Sequence, residues 1–445
     1  MATVVKDERE LSDSASSPDS VARSEAPTRG ATRKAFESFW ALALLALMAA
    51  TFRLWMPSSW VAGEDLPAVP LFDPALLGLT TTLMGWLSSV LVAVSVVVCA
   101  LTIAGRNSRT GWAVLAISLC LLIAMDQHRL QPWVYQTILY AALFSFASAG
   151  STAPVRDATL GCIRWLTITV YVFSAIGKFD FQFLHTVGQD FLRVPTNWLG
   201  LDVSDWSNRT RLVVAACFPA FELLVAASLA VPPVRRVGVW MAIIMHLGLI
   251  AVLSPMGLGH SAGVIVWNLV MAIQAWMLFR PRPAVRPEHD SEIVSRASAG
   301  GLSWGVVILA SVMPLTERRG YWDHWMSWAL YSPHNSRMSL QIHESAIESL
   351  PEPWRAAAVA NDADDHWHDL ELGRLSLMVR GVPALPQSRY QWALTDAIRQ
   401  KYPIANAMRG KVQSASDRWT GQREEQWWTR PDEFQRSGET FWLVP

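Results

Sequence analysis

Four cysteines in 445 residues are few, and Cys99, Cys120, Cys162 and Cys217 all fall inside long apolar runs. None lies in the polar carboxy-terminal stretch, so no disulfide framework is expected there, and the absence of any CxxC argues against a thiol relay. Charge is also scarce. Charged residues make up 17% of the chain, the net charge is zero, and no block of five or six like charges occurs, which removes the electrostatic footprint of a nucleic-acid binder. The first 35 residues lack both apolar periodicity and the short apolar core with a small-residue cleavage site of a signal peptide; rich in Ser, Ala and charge, they read as a disordered cytoplasmic tail.

What is abundant is apolar surface, at 51% hydrophobic residues, more than an ordinary soluble core accommodates. A helix needs roughly 20 mostly apolar residues to cross a hydrocarbon layer about 30 Å thick. Nine stretches approach this, at 38–56, 79–104, 111–125, 133–150, 158–177, 211–231, 236–254, 259–279 and 301–316. The fold class expected is therefore an all-α polytopic membrane helix bundle over 36–316, followed by a small α+β domain over 317–445. Residues 178–200 alternate aromatic and polar side chains and read as a segment lying in the membrane interface.

Arg and Lys collect before the first stretch (Arg29, Arg33, Lys34), after the second (Arg106, Arg109), at Arg156 after the fourth, at Arg235 and Arg236 after the sixth, and after the eighth (Arg280, Arg282, Arg286, Arg296). Short basic loops stay cytoplasmic, and the loop holding Glu64, Asp65 and Asp73 has no Lys or Arg, so the amino terminus is expected inside and the carboxy terminus outside. Lys178, Arg193 and Arg209 run against this pattern. In the tail, 321–333 concentrates Trp and Tyr as a headgroup-level belt would. Met338–Ile342 and Leu375–Val379 alternate like strands, and Tyr390–Lys401 looks helical.

That topology gathers Asp126, His128, Arg129 and Gln131 on the side reached by Lys178, Asp180 and His260, with Glu222 and His246 at hydrocarbon depth, where ionisable groups are costly unless paired. A desolvated lysine is a base near neutral pH, so Lys178 either deprotonates a lipid-soluble acid or snorkels to the headgroups. Asp126, His128 and Arg129 either bind an anionic or quinone-type oxygen or form a structural ion-pair network. His246 and Glu222 are either site residues or hydrogen-bonded core residues. The run holding Asp362, Asp364, Asp365, His366, His368 and Asp369 reads as a solvated acidic turn rather than a metal site, and no metal is expected.

The string Tyr171-Val-Phe-Ser-Ala-Ile-Gly-Lys-Phe-Asp180, followed by an aromatic segment, resembles the motif of the vitamin K-dependent gamma-carboxylase-like (HTTM) membrane family. The Asp126–Tyr135 loop and the His246 helix with its turn Met256-Gly-Leu-Gly-His260 add to the resemblance, which spans 35–280. It implies that Lys178 is the catalytic lysine that takes the proton initiating hydroquinone oxygenation at the outer membrane face, with a quinone or hydroquinone as cofactor. The carboxylase itself carries a second lysine where Gly177 stands here, and its outer region is several times longer than this tail; protein glutamate carboxylation is therefore not expected. On this reading Lys178 is the base, and Asp126, His128, Arg129 and His246 bind or orient a lipophilic substrate. The alternatives are a non-catalytic anchor or assembly protein presenting the tail to a lipid or protein partner, and a DoxX-like quinone-associated protein. A transporter would need similar halves, which are not evident.

Overall fold

The computed structural model describes residues 29–56, 66–146, 158–280, 300–361, 365–439 and 441. Among these, nine helices coincide with the nine apolar stretches: α1 Arg29–Ala50, α2 Thr81–Ile103, α3 Arg109–Met125, α4 Pro132–Phe146, α5 Ala158–Lys178, α6 Asn208–Ala230, α7 Arg235–Leu253, α8 Ala262–Phe279 and α9 Gly301–Val312. Five of them, α2, α5, α6, α7 (with the preceding turn from Pro232) and α8, are long and apolar enough to cross a bilayer, the make-up of an integral membrane protein. The helix α1 begins at Arg29, so residues 29–35 belong to it and not to a disordered tail. Residues 1–28 lie outside the described residues, as do Glu64, Asp65, Arg156, Arg282, Arg286 and Arg296 of the charge pattern.

The five long helices differ in how much of their surface the protein covers. Only 28% of the apolar window of α2 and of α7 is buried, against 61% for α5 and 56% for α8. Bare apolar flanks such as Leu83, Trp86, Val90 and Val97 on α2 suit contact with lipid, since uncovered apolar area of this extent is unfavourable in water. The helix α5 sits at the centre and packs against α4, α6, α8 and α9. It therefore carries the polar residues that the bundle encloses.

Between α5 and α6 the expected interfacial segment forms two short helices, Phe181–His185 and Val187–Trp198. The second is amphipathic and buries Phe191, Leu192 and Val194. Asp180 caps the first by accepting from the Gln182 N–H.

The carboxy-terminal domain holds a five-stranded antiparallel sheet in the order β2-β3-β1-β4-β5, with β1 Arg337–His343, β2 Ala358–Ala360, β3 Trp367–Leu370, β4 Met408–Gln413 and β5 Glu425–Trp428. Met338, Leu340 and Ile342 alternate into the core of β1, as the period of two requires. The helix over Ser388–Lys401 packs on that strand. The Leu375–Val379 stretch, expected as a strand, lies instead in the helix Leu372–Arg380, which buries Leu372, Leu375, Ser376 and Val379. These positions are spaced three and four apart and share one helical face, so two periods fit one short string and tertiary burial chose the helical one.

The tryptophan-rich segment is not a belt of exposed rings. Trp328 is fully buried and meets the Tyr135 ring of α4 at 5.1 Å, and Trp325 is buried as well. The segment plugs the junction between the bundle and the carboxy-terminal domain. Its Ser332 rests on the end of α5, where a Cβ added to Gly177 would come within 2.7 Å of Ser332 Oγ and 3.6 Å of His334 Cε1. The resemblance's second lysine therefore has no room at this position.

Gly177→Lys should overpack this junction and cost about 1–3 kcal/mol, whereas Gly177→Ala asks only a hydroxyl to rotate and should cost less. Thermal unfolding of the purified protein distinguishes the two; equal midpoints would contradict the packing described.

Candidate functional site in the bundle interior

Thr167, Tyr171, Ser174 and Lys178 of α5 are spaced four, three and four apart and so form one stripe about 16 Å long on a single helical face. All four are buried. Each meets a polar side chain from another helix or, in the case of Ser174, from Lys178 on the same stripe. At the deep end Thr167 Oγ1 lies 3.1 Å from Tyr140 Oη and accepts from Gln274 Nε2 at 3.1 Å. Gln136 donates to Tyr140 Oη at 3.0 Å and accepts from the Trp267 indole at 3.0 Å.

One turn on, Tyr171 Oη lies 2.9 Å from His246 Nε2, and His246 Nδ1 lies 3.0 Å from Asn268 Oδ1. Asn268 Nδ2 donates to the Val264 carbonyl, so Oδ1 is the amide atom facing the ring and must accept from Nδ1–H. The second imidazole nitrogen then holds a lone pair that accepts from the tyrosine hydroxyl. Asn268 thereby sets the tautomer of His246.

At the end of the stripe Lys178 does not extend toward solvent. It is 6% exposed, and its Nζ donates to Ser174 Oγ at 2.6 Å and to Glu222 Oε2 of α6 at 2.6 Å. Taking an ammonium and a carboxylate out of water costs several kcal/mol per ion, and only close pairing with further hydrogen bonds recovers it. Lys178 is thus held within the bundle, with Glu222 and the Tyr171–His246 pair as its neighbours. Asp180, two residues on, takes another direction: it is buried and accepts from Arg318 Nη2 at 2.7 Å beyond α9. The two charged ends of the Lys-Phe-Asp triplet therefore serve separate contacts.

Asp126 and His128 are brought to the carboxy-terminal domain and Arg129 to backbone carbonyls of the bundle, none of them to Lys178, whose hydrogen bonds go to Ser174 and Glu222. Asp126 accepts from the Val69 and His128 N–H groups and faces Arg380 at 3.9 Å. Arg129 donates to the Leu54 and Leu122 carbonyls, and Gln131 to those of His128 and Pro383. His128 Nε2 lies 2.7 Å from Ser376 Oγ, and its Nδ1 receives the Tyr390 hydroxyl. Because Ser376 Oγ donates to the Val382 carbonyl, His128 must donate from Nε2 and accept at Nδ1, which is the neutral ring. This loop is the clasp that fastens the domain to the bundle.

Burial pushes the His128 imidazole down to about 3, an effect that Asp126 only partly offsets. Burial would raise the Asp126 carboxyl, but Arg380 and then Arg129 outweigh it and hold the carboxyl below its ordinary range.

His260 borders a cavity of about 250 Å³ between the bundle and the carboxy-terminal domain, together with Trp133, Trp267, Tyr331 and Ser332. Of the acidic run, Asp362 and Asp364 lie outside the described residues; Asp365 pairs with Arg409, and His366 with Glu344 at 3.0 Å. The partners Asn268, Ser376, Arg380 and Tyr390 carry no sequence signal of these contacts, each being one ordinary polar residue among many. No protein-family model, curated protein or solved structure matches the chain.

Because His128 binds its proton less readily folded than unfolded, its contribution to stability is complete above its ordinary value near 6.5 and declines as pH falls toward about 3. At pH 5 the loss should reach on the order of 2 kcal/mol. Acid melts of wild type and His128→Gln measure this; a wild-type curve no steeper between pH 7 and 5 than the variant's would contradict it.

Proposed function

We propose that the chain is a nine-span membrane protein, amino terminus cytoplasmic and carboxy-terminal domain extracytoplasmic, that removes a proton from a lipophilic, quinol-type substrate with Lys178 as base. The observation that carries this reading is the inward-turned Lys178, buried and held by Ser174 and Glu222. A lysine serving only as a headgroup anchor gains most by reaching out to water; this one is kept where its proton can be exchanged inside the protein.

The chemistry follows from the contacts. Glu222 at 2.6 Å accepts a proton from the ammonium and leaves a neutral amine. That amine then takes the proton of a bound hydroxyl, which becomes an oxyanion beside the regenerated ammonium. Close contact with little intervening water is what such a transfer requires. Tyr171, oriented by His246 and Asn268, supplies a hydroxyl to the same polar stripe. The aromatic cavity beside His260 offers a lipophilic ring a place one side chain removed from α5: its wall residue Ser332 rests on Gly177, and Lys178 itself does not line it. On this reading the chain is akin to the gamma-carboxylase-like HTTM proteins. Asp126 and His128 act by holding the carboxy-terminal domain, Arg129 by tying the same turn to the bundle, and none of the three touches substrate.

A second reading, an anchor that presents the carboxy-terminal domain, is favoured by the buried clasp around His128. The two part on one experiment. In proteoliposomes supplied with a reduced quinone and with dioxygen as the oxidant that the deprotonated quinol reduces, Lys178→Met should lower consumption of the quinol by about 10²-fold or more, while membrane insertion and the fluorescence of the buried tryptophans stay unchanged. Glu222→Gln, which removes the proton acceptor but keeps a hydrogen-bonding partner, should lower it too. Equal turnover in wild type and Lys178→Met, or none in wild type with any quinol offered, leaves the anchor reading standing.

A further inference from the structure

Beyond α9 the chain runs through a 3-10 turn, Met313–Arg319, into the tryptophan-rich segment and then β1. Along this stretch Glu317, His324 and His334 turn their side chains toward one point. His324 Nδ1 lies 2.7 Å from Glu317 Oε1 and His334 Nε2 lies 2.9 Å from Glu317 Oε2. The donor atoms of the three residues all fall within 4.8 Å of one another. The two rings are inclined at 66° with centroids 5.0 Å apart, so they converge on the carboxylate instead of stacking. Both histidines are 2% exposed and Glu317 is 9% exposed.

A buried carboxylate needs a positive partner, yet among the described residues no lysine or arginine pairs with Glu317. The adjacent Arg318 turns away to Asp180 and the Ser416 carbonyl, and Arg418 acts on Glu317 only through its field. What faces the carboxylate is two imidazoles.

We propose that Glu317, His324 and His334 bind one divalent transition-metal cation, with zinc the best match. Two imidazole nitrogens and a carboxylate oxygen are a known ligand set for this borderline-soft ion, and hard cations such as magnesium and calcium favour all-oxygen shells. With metal–ligand bonds of about 2.0–2.1 Å, tetrahedral donors stand roughly 3.3 Å apart. The two histidine–carboxylate spacings of 2.7 and 2.9 Å need open by only about half an ångström, and the donor set as a whole, spread over no more than 4.8 Å, need only draw together around the ion. Glu317 also lines a cavity of about 950 Å³ whose charged border mixes Asp323, Glu424 and Glu425 with Arg318, Arg319 and Arg389, which gives an ion a route to the carboxylate. The ion would staple the end of α9 to the start of the carboxy-terminal domain, independently of any chemistry at Lys178.

The test is metal binding by the full chain, purified in detergent, stripped with chelator and titrated with Co²⁺ alone, whose visible absorption reports low-symmetry nitrogen and oxygen coordination, followed by displacement with Zn²⁺. One ion per chain is expected. Binding by His324→Ala and by His334→Ala should be weaker by more than about 100-fold, since even residues that only orient a metal ligand are worth 10–100-fold. Glu317→Gln preserves shape and hydrogen bonding and serves as the variant of choice if either alanine variant fails to fold; it should weaken binding likewise. Absence of stoichiometric binding by wild type at micromolar metal overturns the proposal. So does wild-type affinity in Glu317→Gln or in the folded histidine variants.

Discussion

The constraint on which the interior of the bundle depends is the pairing of Lys178 with Glu222. An ammonium at the end of a central helix, with little exposure, is tolerable only if a carboxylate lies in direct contact and the remaining donors find oxygen. Ser174, one turn back on the same face, supplies that oxygen. The pair joins the last turn of α5 to the middle of α6 and so fixes the register of the two helices at that level. Removing either partner alone would leave the other charge stranded, typically at a cost of several kcal/mol.

The rest of the α5 stripe is polar but uncharged, and its hydrogen bonds are closed among side chains of α4, α5, α7 and α8. In a low-dielectric interior each such group must find a partner within the protein. Meeting that requirement on one helical face joins four helices around a common line. Because α5 is also the best covered of the long apolar helices, the interior of the bundle is organised around it. The helices α2 and α7 leave most of their apolar surface uncovered by protein, and α7 adds only His246 to the polar line.

At the end of the bundle the same rule operates with different residues. The Asp126–His128 turn is buried because the carboxy-terminal domain closes over it, with Ser376, Arg380 and Tyr390 completing its hydrogen bonds and charge balance. The buried tryptophans of the connecting segment fill the space alongside. The domain is therefore seated on the bundle by polar complementarity and aromatic packing together. This arrangement also explains why Asp126, His128 and Arg129, adjacent in sequence to an apolar helix, do not face the lysine.

The positions of nine helices and of β1 were legible in the sequence, because long apolar runs and strict alternation report directly on surroundings that are wholly greasy or half buried. The charged and imidazole residues within the apolar helices, Glu222 and His246 with Lys178 at a helix end, were likewise marked by their rarity in such a setting. Their partners were not, since a hydrogen bond between Tyr171 and His246 spans residues 75 apart in the chain and leaves no periodic trace. The Leu375–Val379 helix escaped for a related reason: five residues satisfy both periods, and only burial against the rest of the domain decides between them. Composition alone thus settled where the chain is apolar enough to meet lipid. Which polar residues meet, and which face of Lys178's helix turns inward, was decided only in three dimensions, because pairing energies depend on distances between segments that sequence order does not encode.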